Sequence, residues 1–141
     1  MGRQLATFVL GGAHYGVDVL LVQEALRSQE RTPVPLAPAG VAGLVNLRGE
    51  VVLSVDLRHR LGLAPLAEDD EPMMVVVQVD GEPISLLVDE VGDVVDVEES
   101  QFETPPDTLE PALRELIVGA YKLPEGLLLA LDVERATAQA A

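Results

Sequence analysis

The sequence predicts an all-β protein made of two small barrels. Short apolar runs of strand length recur along the 141 residues, and Gly, Pro or Asp residues separate them. No long stretch shows the 3.6-residue period of a helix, and one pattern of strands and turns occurs twice. A chain of this length fits one compact domain built from two small units.

Seven runs have the length and composition of β-strands. Each is rich in Val, Leu or Ile, and each is bounded by residues that favour turns. The runs are 5–10, 43–47, 51–55, 73–79, 84–88, 94–97 and 127–131. Helical pieces are brief and are predicted at 56–61, at 111–115 and in the tail from 132 to 140.

Proline and acidic residues mark the breaks between these elements. Pro33, Pro35 and Pro38 interrupt the chain before the run at 43–47. A second break at 64–71 ends in an acidic run. We therefore predict one domain with three parts, namely a first barrel at 1–63, a linker at 64–71 and a second barrel with a short C-terminal helix at 72–141.

An internal repeat supports the two-barrel prediction. Residues 43–56 align without gaps on 119–132, with identities at Gly43, Leu47, Leu53 and Asp56. Residues 12–22 align in the same way on 81–91, hairpin turn on hairpin turn. Small closed barrels let short strands avoid exposed sheet edges, which favours one barrel motif used twice.

The chain is strongly acidic, with a formal charge of −15. This charge disfavours nucleic acid as a partner, because nucleic acid is itself a polyanion. Residues 1–63 carry a charge of +1 and residues 64–141 carry −16. The acidic half is either a solvated surface or one of two unlike ends that favour end-to-end association, and the sequence leaves both interpretations open.

The residues that carry enzyme chemistry are missing or badly spaced. The chain has no cysteine, and its only histidines, His14 and His59, lack the neighbours that a zinc site or a catalytic triad needs. No glycine-rich loop is followed by Lys and Ser or Thr, so a phosphate site is not predicted. No apolar run reaches the length of a membrane span, and no signal-peptide core is present. We expect a cytoplasmic protein without cofactor or metal that holds other proteins together.

Six short motifs follow one another along the chain, namely Phe8-Val-Leu-Gly-Gly12, Tyr15-Gly-Val-Asp-Val19, Val22-Gln-Glu24, Pro35-Leu-Ala-Pro38, Gly43-Leu-Val-Asn-Leu-Arg-Gly49 and Val55-Asp-Leu-Arg58. In order and spacing they resemble the motifs of the CheW family of chemotaxis coupling proteins. A looser likeness continues through 87–95 and 127–133. The resemblance implies two five-stranded SH3-like barrels around a shared hydrophobic core. It also implies a non-enzymatic scaffold that joins chemoreceptors, the methyl-accepting chemotaxis proteins, to the regulatory domain of a CheA-type histidine kinase.

The same resemblance implies a receptor-facing surface. Its residues are Val22, Glu24, Gly43, Asn46, Leu47, Arg48 and Gly49. The internal repeat helps to distinguish structural residues from binding residues in this set, because Arg48 aligns with Pro124 whereas Gly43 aligns with Gly119. A residue that recurs in both copies serves the barrel, and one that occurs in a single copy is free to serve binding. Arg48 is therefore the main binding candidate, and we expect it to form an ion pair with Glu24.

Kinase contact is expected at apolar patches on the barrel ends. The candidates are Val34 and Leu36 in the proline-rich stretch, and Phe102 and Leu109 around the second proline-rich loop. Phe102 is either an exposed anchor or a buried core residue, and both interpretations stay open. We expect the protein alone to be a monomer.

Three alternatives remain. The chain could be a regulatory module that binds receptors without engaging a kinase, or an adaptor of a non-flagellar, surface-motility pathway. The acidic tract at 68–71 and Leu53-Ser54, where the family often has a proline, leave the pathway open. A barrel enzyme or nucleic-acid binder is disfavoured by the missing site chemistry and by the charge.

Overall fold

The computed structural model describes residues 2–27, 29–65 and 71–138. Within these ranges the protein consists mainly of strands with three short helices, which confirms the all-β prediction. The strands are β1 (Arg3–Leu10), β2 (Ala13–Asp18), β3 (Val22–Arg27), β4 (Val41–Leu47), β5 (Glu50–Asp56), β6 (Met73–Val79), β7 (Glu82–Val88), β8 (Glu90–Val97), β9 (Phe102–Glu103), β10 (Ile117–Leu123) and β11 (Gly126–Leu131). The helices are α1 (Leu57–Arg60), α2 (Pro111–Arg114) and α3 (Val133–Thr137).

The strands form two sheets, and each sheet takes strands from both halves of the chain. The first sheet has the order β8-β1-β2-β11-β10-β9, and the second has the order β3-β6-β7-β5-β4. The predicted division into barrels at 1–63 and 72–141 is therefore wrong, because β1 and β2 pair with strands of the second half, and β6 and β7 pair with strands of the first. Of the predicted linker, residues 66–70 lie outside the described residues.

The internal repeat is confirmed in the strand register. The β4–β5 hairpin pairs Leu44 with Leu53, and the β10–β11 hairpin pairs the aligned residues Ala120 and Leu129. Each hairpin then pairs in parallel with a strand of the other repeat, β5 with β7 and β11 with β2. Each sheet therefore combines one hairpin from each repeat, and the two repeats exchange hairpins.

This exchange redistributes the charge that the sequence separates so sharply. The described residues of 22–88, which contain the second sheet, hold five basic and seven acidic residues, a charge of −2. The residues outside 22–88 hold four basic and fourteen acidic residues, a charge of −10. Both subdomains are therefore acidic, the first more strongly, and neither carries the net positive charge of residues 1–63.

The hydrophobic core has three parts that follow from this arrangement. One cluster lies inside the first sheet and includes Leu5, one lies inside the second sheet, and a larger one is shared between them. Strand β6 shows why its sequence is apolar from Met73 to Val77, before Gln78. Met74 belongs to the cluster of the second sheet, whereas Val75 belongs to the shared cluster, so both faces of the strand are buried. The expectation of a shared core is confirmed.

Helices α1 and α3 begin at capping residues that end the two repeated hairpins. The side chain of Asp56 accepts a hydrogen bond from the backbone N–H of His59 (3.3 Å), and that of the aligned Asp132 accepts one from Arg135 (3.1 Å). The predicted helical pieces at 56–61 and 111–115 are confirmed. The third, predicted at 132–140, is shorter: it spans Val133–Thr137 with Asp132 as its N-cap, and residues 139–141 lie outside the described part of the chain.

One ion pair ties the two sheets together. Arg58 of α1, which follows the second sheet, donates from Nε and Nη2 to the carboxylate of Asp89 at 2.8 and 2.6 Å. The same carboxylate accepts the backbone N–H of Gly11 in the β1–β2 turn (2.9 Å). Asp89 therefore fixes α1 against a turn of the first sheet.

Candidate functional site

The candidate receptor surface is centred on the tight turn between β4 and β5. Arg48 and Gly49 occupy its two central positions with φ angles of 52° and 87°, so both are left-handed. Positive φ at both central residues is the signature of a type I′ hairpin turn, which explains the glycine. The side-chain oxygen of Asn46 accepts the N–H of Gly49 at 2.9 Å and stabilises the turn.

Arg48 and Glu24 form the predicted ion pair. Arg48 Nη1 donates to Glu24 Oε2 at 2.6 Å, and a second, parallel bond joins Nη2 to Oε1. Strands β3 and β4 are the two opposite edges of the second sheet, so this pair connects the ends of a sheet that curls into a barrel. The Arg48 side chain is 72 % exposed and that of Glu24 is 20 % exposed. Glu24 therefore holds a guanidinium group that still faces solvent.

The electrostatics of the pair keep it formed at neutral pH. The hydrogen bonds from Arg48 lower the pKa of Glu24, and the same bonds raise the pKa of Arg48. Glu24 is therefore ionised well below neutral pH. The planar guanidinium meets the carboxylate through two bonds, an arrangement that fixes orientation better than a lysine could.

The other receptor-facing candidates divide into two groups. Val22 packs on the shared cluster and Leu47 packs on the cluster of the second sheet, so both support the surface from inside. Gly43 is not at the turn but at the far end of β4. A Cβ there would lie 2.7 Å from the carbonyl oxygen of Thr32, and its φ is 139°. Gly43 thus has a structural role in the packing of the chain at Thr32.

Two of the kinase-facing candidates, Val34 and Leu36, lie in the loop that precedes β4. Val34 is partly buried, and Leu36 is fully exposed. The N–H of Ala37 donates to the carbonyl of Val34 at 3.3 Å, which closes a four-residue turn with Pro35 and Leu36 at its centre. The structure therefore places Leu36 at the tip of a proline-rich turn.

The other two candidates, Phe102 and Leu109, lie on the first sheet's side of the molecule. Phe102 in β9 is 37 % exposed. Its ring meets that of Tyr121 edge to face, with centroids 5.2 Å apart, and covers Gly119. Phe102 also lines a groove with Val118 and Glu98. It is therefore neither a free anchor nor a core residue, because it packs on one side and is open on the other. Leu109 is partly buried.

Within the described ranges, no three residues of the types that hold metal ions come together. In the same part of the chain, no helix has the length and apolar character needed to cross a membrane.

Comparison with known proteins decides the family. The family model of the CheW-like domain matches residues 4–141. The chain belongs to this family. The CheW-like chain is 32 % identical over 136 residues to the chemotaxis protein CheW of Treponema pallidum (strain Nichols), covering 94 % of this chain and 80 % of that one. It is 33 % identical over 130 residues to the chemotaxis protein CheW of Rhizobium meliloti (strain 1021), covering 92 % and 83 %.

A solved structure agrees with the fold. The crystal structure of the scaffolding protein TtCheW from Thermoanaerobacter tengcongensis is similar to the CheW-like chain with a TM-score of 0.82 and 26 % identity, over 94 % of this chain and 90 % of the other. The prediction of two barrel-like subdomains in one CheW-like domain is therefore confirmed. The CheW-like chain is a non-enzymatic scaffold of chemotaxis signalling.

Sequence reasoning missed two kinds of residue in the CheW-like chain. Arg58 and Asp89 form the tie between the sheets, but 31 positions separate them and no local pattern joins them. Val51, which pairs with Asn46 beside the Arg48 turn, is exposed although it lies in an apolar strand run. The strand alternation predicts which residues share a face, but it does not predict which face is covered.

Proposed function

We propose that this CheW-like chain couples the cytoplasmic tip of chemoreceptors to the regulatory domain of a CheA-type histidine kinase, and that receptor arrays recruit it from the cytoplasm. The receptor surface would consist of Glu24, Asn46, Arg48 and Gly49. Val22 and Leu47 would support it from inside, and Gly43 would shape the adjacent loop. The kinase surface would use Val34 and Leu36 on one subdomain, and Phe102 and Leu109 on the other.

The observation that carries the receptor assignment is the exposed guanidinium of Arg48. Glu24 fixes it in one orientation, and the type I′ turn projects it from the hairpin. An ion pair at a solvated surface stabilises a fold only slightly, so its main effect is to orient the arginine. The repeat supports this assignment, because the aligned residue in the other barrel is Pro124 and the fold does not require a cation there.

A substitution at Arg48 tests the proposal. Arg48→Ala should weaken binding to a soluble receptor-tip fragment by about tenfold, as expected for an oriented arginine at the centre of an interface. Its melting temperature should fall by less than about 3 °C. Arg27→Ala removes the same charge from an exposed position on β3 and serves as the matched control, with binding unchanged.

Binding to the isolated kinase regulatory domain, measured by calorimetry, completes the test. Arg48→Ala should bind the kinase domain as the wild-type chain does. A wild-type chain that binds receptor tips and not the kinase domain would instead establish a regulatory module that dilutes the array. A fall in melting temperature of more than about 5 °C for Arg48→Ala would show that the Glu24–Arg48 pair stabilises the fold and does not primarily serve binding.

A further inference from the structure

Leu36 occupies a backbone conformation that a leucine rarely adopts. Its φ is 62°, in the left-handed region, where the Cβ of an L-residue approaches the following carbonyl oxygen. Because the proline ring holds Pro35 near φ −65°, the turn from Val34 to Ala37 is type II, and its third position is normally glycine. A leucine there costs stability relative to a residue that accepts this conformation.

Nothing inside the described chain offsets this cost. The side chain of Leu36 is fully exposed, with a relative accessibility of 104 %, so it gains no burial. In the other barrel the proline-rich loop carries Leu109, which is partly buried, and no exposed leucine stands at its turn. The second barrel therefore forms without an exposed, left-handed leucine in its proline-rich loop.

The loop around Leu36 is held at both ends. Thr32 and Leu44 exchange two backbone hydrogen bonds of 2.8 Å, which anchor the beginning of the loop to β4. The N–H of Val41 donates to the carbonyl of Pro38 at 2.9 Å and closes the end. Pro33, Pro35 and Pro38 restrict the backbone between these anchors. A loop backbone restricted in this way loses little conformational entropy on binding, and it presents the Leu36 side chain at a fixed place.

We infer that Leu36 is the anchor of the kinase contact on this subdomain, and that it enters an apolar pocket on the kinase regulatory domain. This inference rests on the proposed function. It adds that the strained backbone conformation at Leu36 serves kinase binding. Stability and affinity should then respond to substitution in opposite directions. If Leu36 had a structural role, its substitution would lower stability and affinity together.

The test compares Leu36→Asn with two controls. Asparagine accepts the left-handed conformation but removes the apolar side chain. Leu36→Asn should weaken binding to the kinase regulatory domain by about tenfold or more, while its melting temperature stays the same or rises by up to about 3 °C. Leu36→Met keeps an apolar anchor and should bind within about threefold of the wild type.

The second control is Leu20→Asn, the same change at another exposed leucine, 88 % accessible and outside the loop. It should leave kinase binding unchanged. The inference is overturned if Leu36→Asn binds as the wild type does, if it melts more than about 5 °C lower, or if Leu20→Asn weakens binding equally. A wild-type chain that does not bind the kinase domain would overturn the proposed function and this inference with it.

Discussion

Replacement of Asp89 should lower the stability of this scaffold by an amount that the structure allows us to estimate. Its carboxylate accepts two hydrogen bonds from Arg58 and one from the backbone of Gly11, and its side chain is only 19 % exposed. Asp89→Asn leaves Arg58 with a partly buried charge and removes at least one charge-assisted bond. Hydrogen bonds to charged groups contribute about 1.5–3 kcal/mol, so we expect a loss of about 2 kcal/mol.

The expected change in melting temperature follows from the chain length. Unfolding entropy of about 2.1 cal/mol/K per residue gives about 0.3 kcal/mol/K for this chain, so a loss of about 2 kcal/mol lowers the melting temperature by about 7 °C. Circular dichroism or calorimetry at neutral pH measures this directly. Asp96→Asn, at an exposed position of β8, the strand that follows Asp89, is the control and should move the melting temperature by less than about 1 °C.

The pH dependence provides a second measurement. The bonds from Arg58, together with the backbone bond from Gly11, lower the pKa of Asp89 below its ordinary value. A lowered carboxyl pKa contributes stability above the pKa of the unfolded chain, near pH 4, and that contribution is lost as the pH falls through the native pKa. The difference between wild type and Asp89→Asn should therefore shrink below about pH 4. A difference under about 2 °C at neutral pH, or one that does not change with pH, would refute this reasoning.

Three further predictions concern the surfaces and the oligomeric state. Gly43→Ala should lower the melting temperature by more than about 5 °C and weaken kinase binding, because its Cβ would meet the carbonyl oxygen of Thr32 at 2.7 Å; a well-folded variant would contradict the structural role. Phe102→Ser should weaken binding to the kinase domain, whereas Phe102→Leu should retain it, and unchanged binding by a folded serine variant would exclude this loop from the interface. Light scattering at micromolar concentration should show a monomer, because both subdomains are acidic, and a dimer unaffected by salt would contradict this.

The sequence predicted local structure well where one pattern decides it. The predicted run at 73–79 corresponds to β6 residue for residue, because burial of both faces over Met74–Val77 requires apolar residues there. Strand β3 was not among the predicted runs, since its exposed face carries Gln23 and Arg27 and its apolar residues are few. The Glu24–Arg48 pair was predicted from opposite charges at positions that the family resemblance places together, and the structure contains it.

The pairing of the repeats could not be predicted in the same way. A hairpin has the same turn, register and apolar face whether its edge pairs with a strand of its own repeat or with one of the other repeat. Strand patterns therefore indicated two copies of one barrel motif. They did not predict the exchange of hairpins that pairs β2 with β11 and β7 with β5. The left-handed turn at Leu36 was also missed as a conformation, because glycine and asparagine are the residues that normally indicate it.

The exchange makes comparison of the two copies a direct way to separate structure from binding. Gly43 and Gly119 are aligned, and a Cβ at either position would lie 2.7 Å from the carbonyl oxygen of a neighbouring segment. The fold therefore needs a glycine in both barrels. When the alignment of 43–56 with 119–132 is extended by two residues, Arg58 falls opposite Glu134, and Asp89 aligns with Leu20, so the ion pair that ties the sheets together has no counterpart at these positions. This tie therefore belongs to one copy only, and substitutions at Arg58 or Asp89 should affect stability without the same effect at the aligned positions of the other copy.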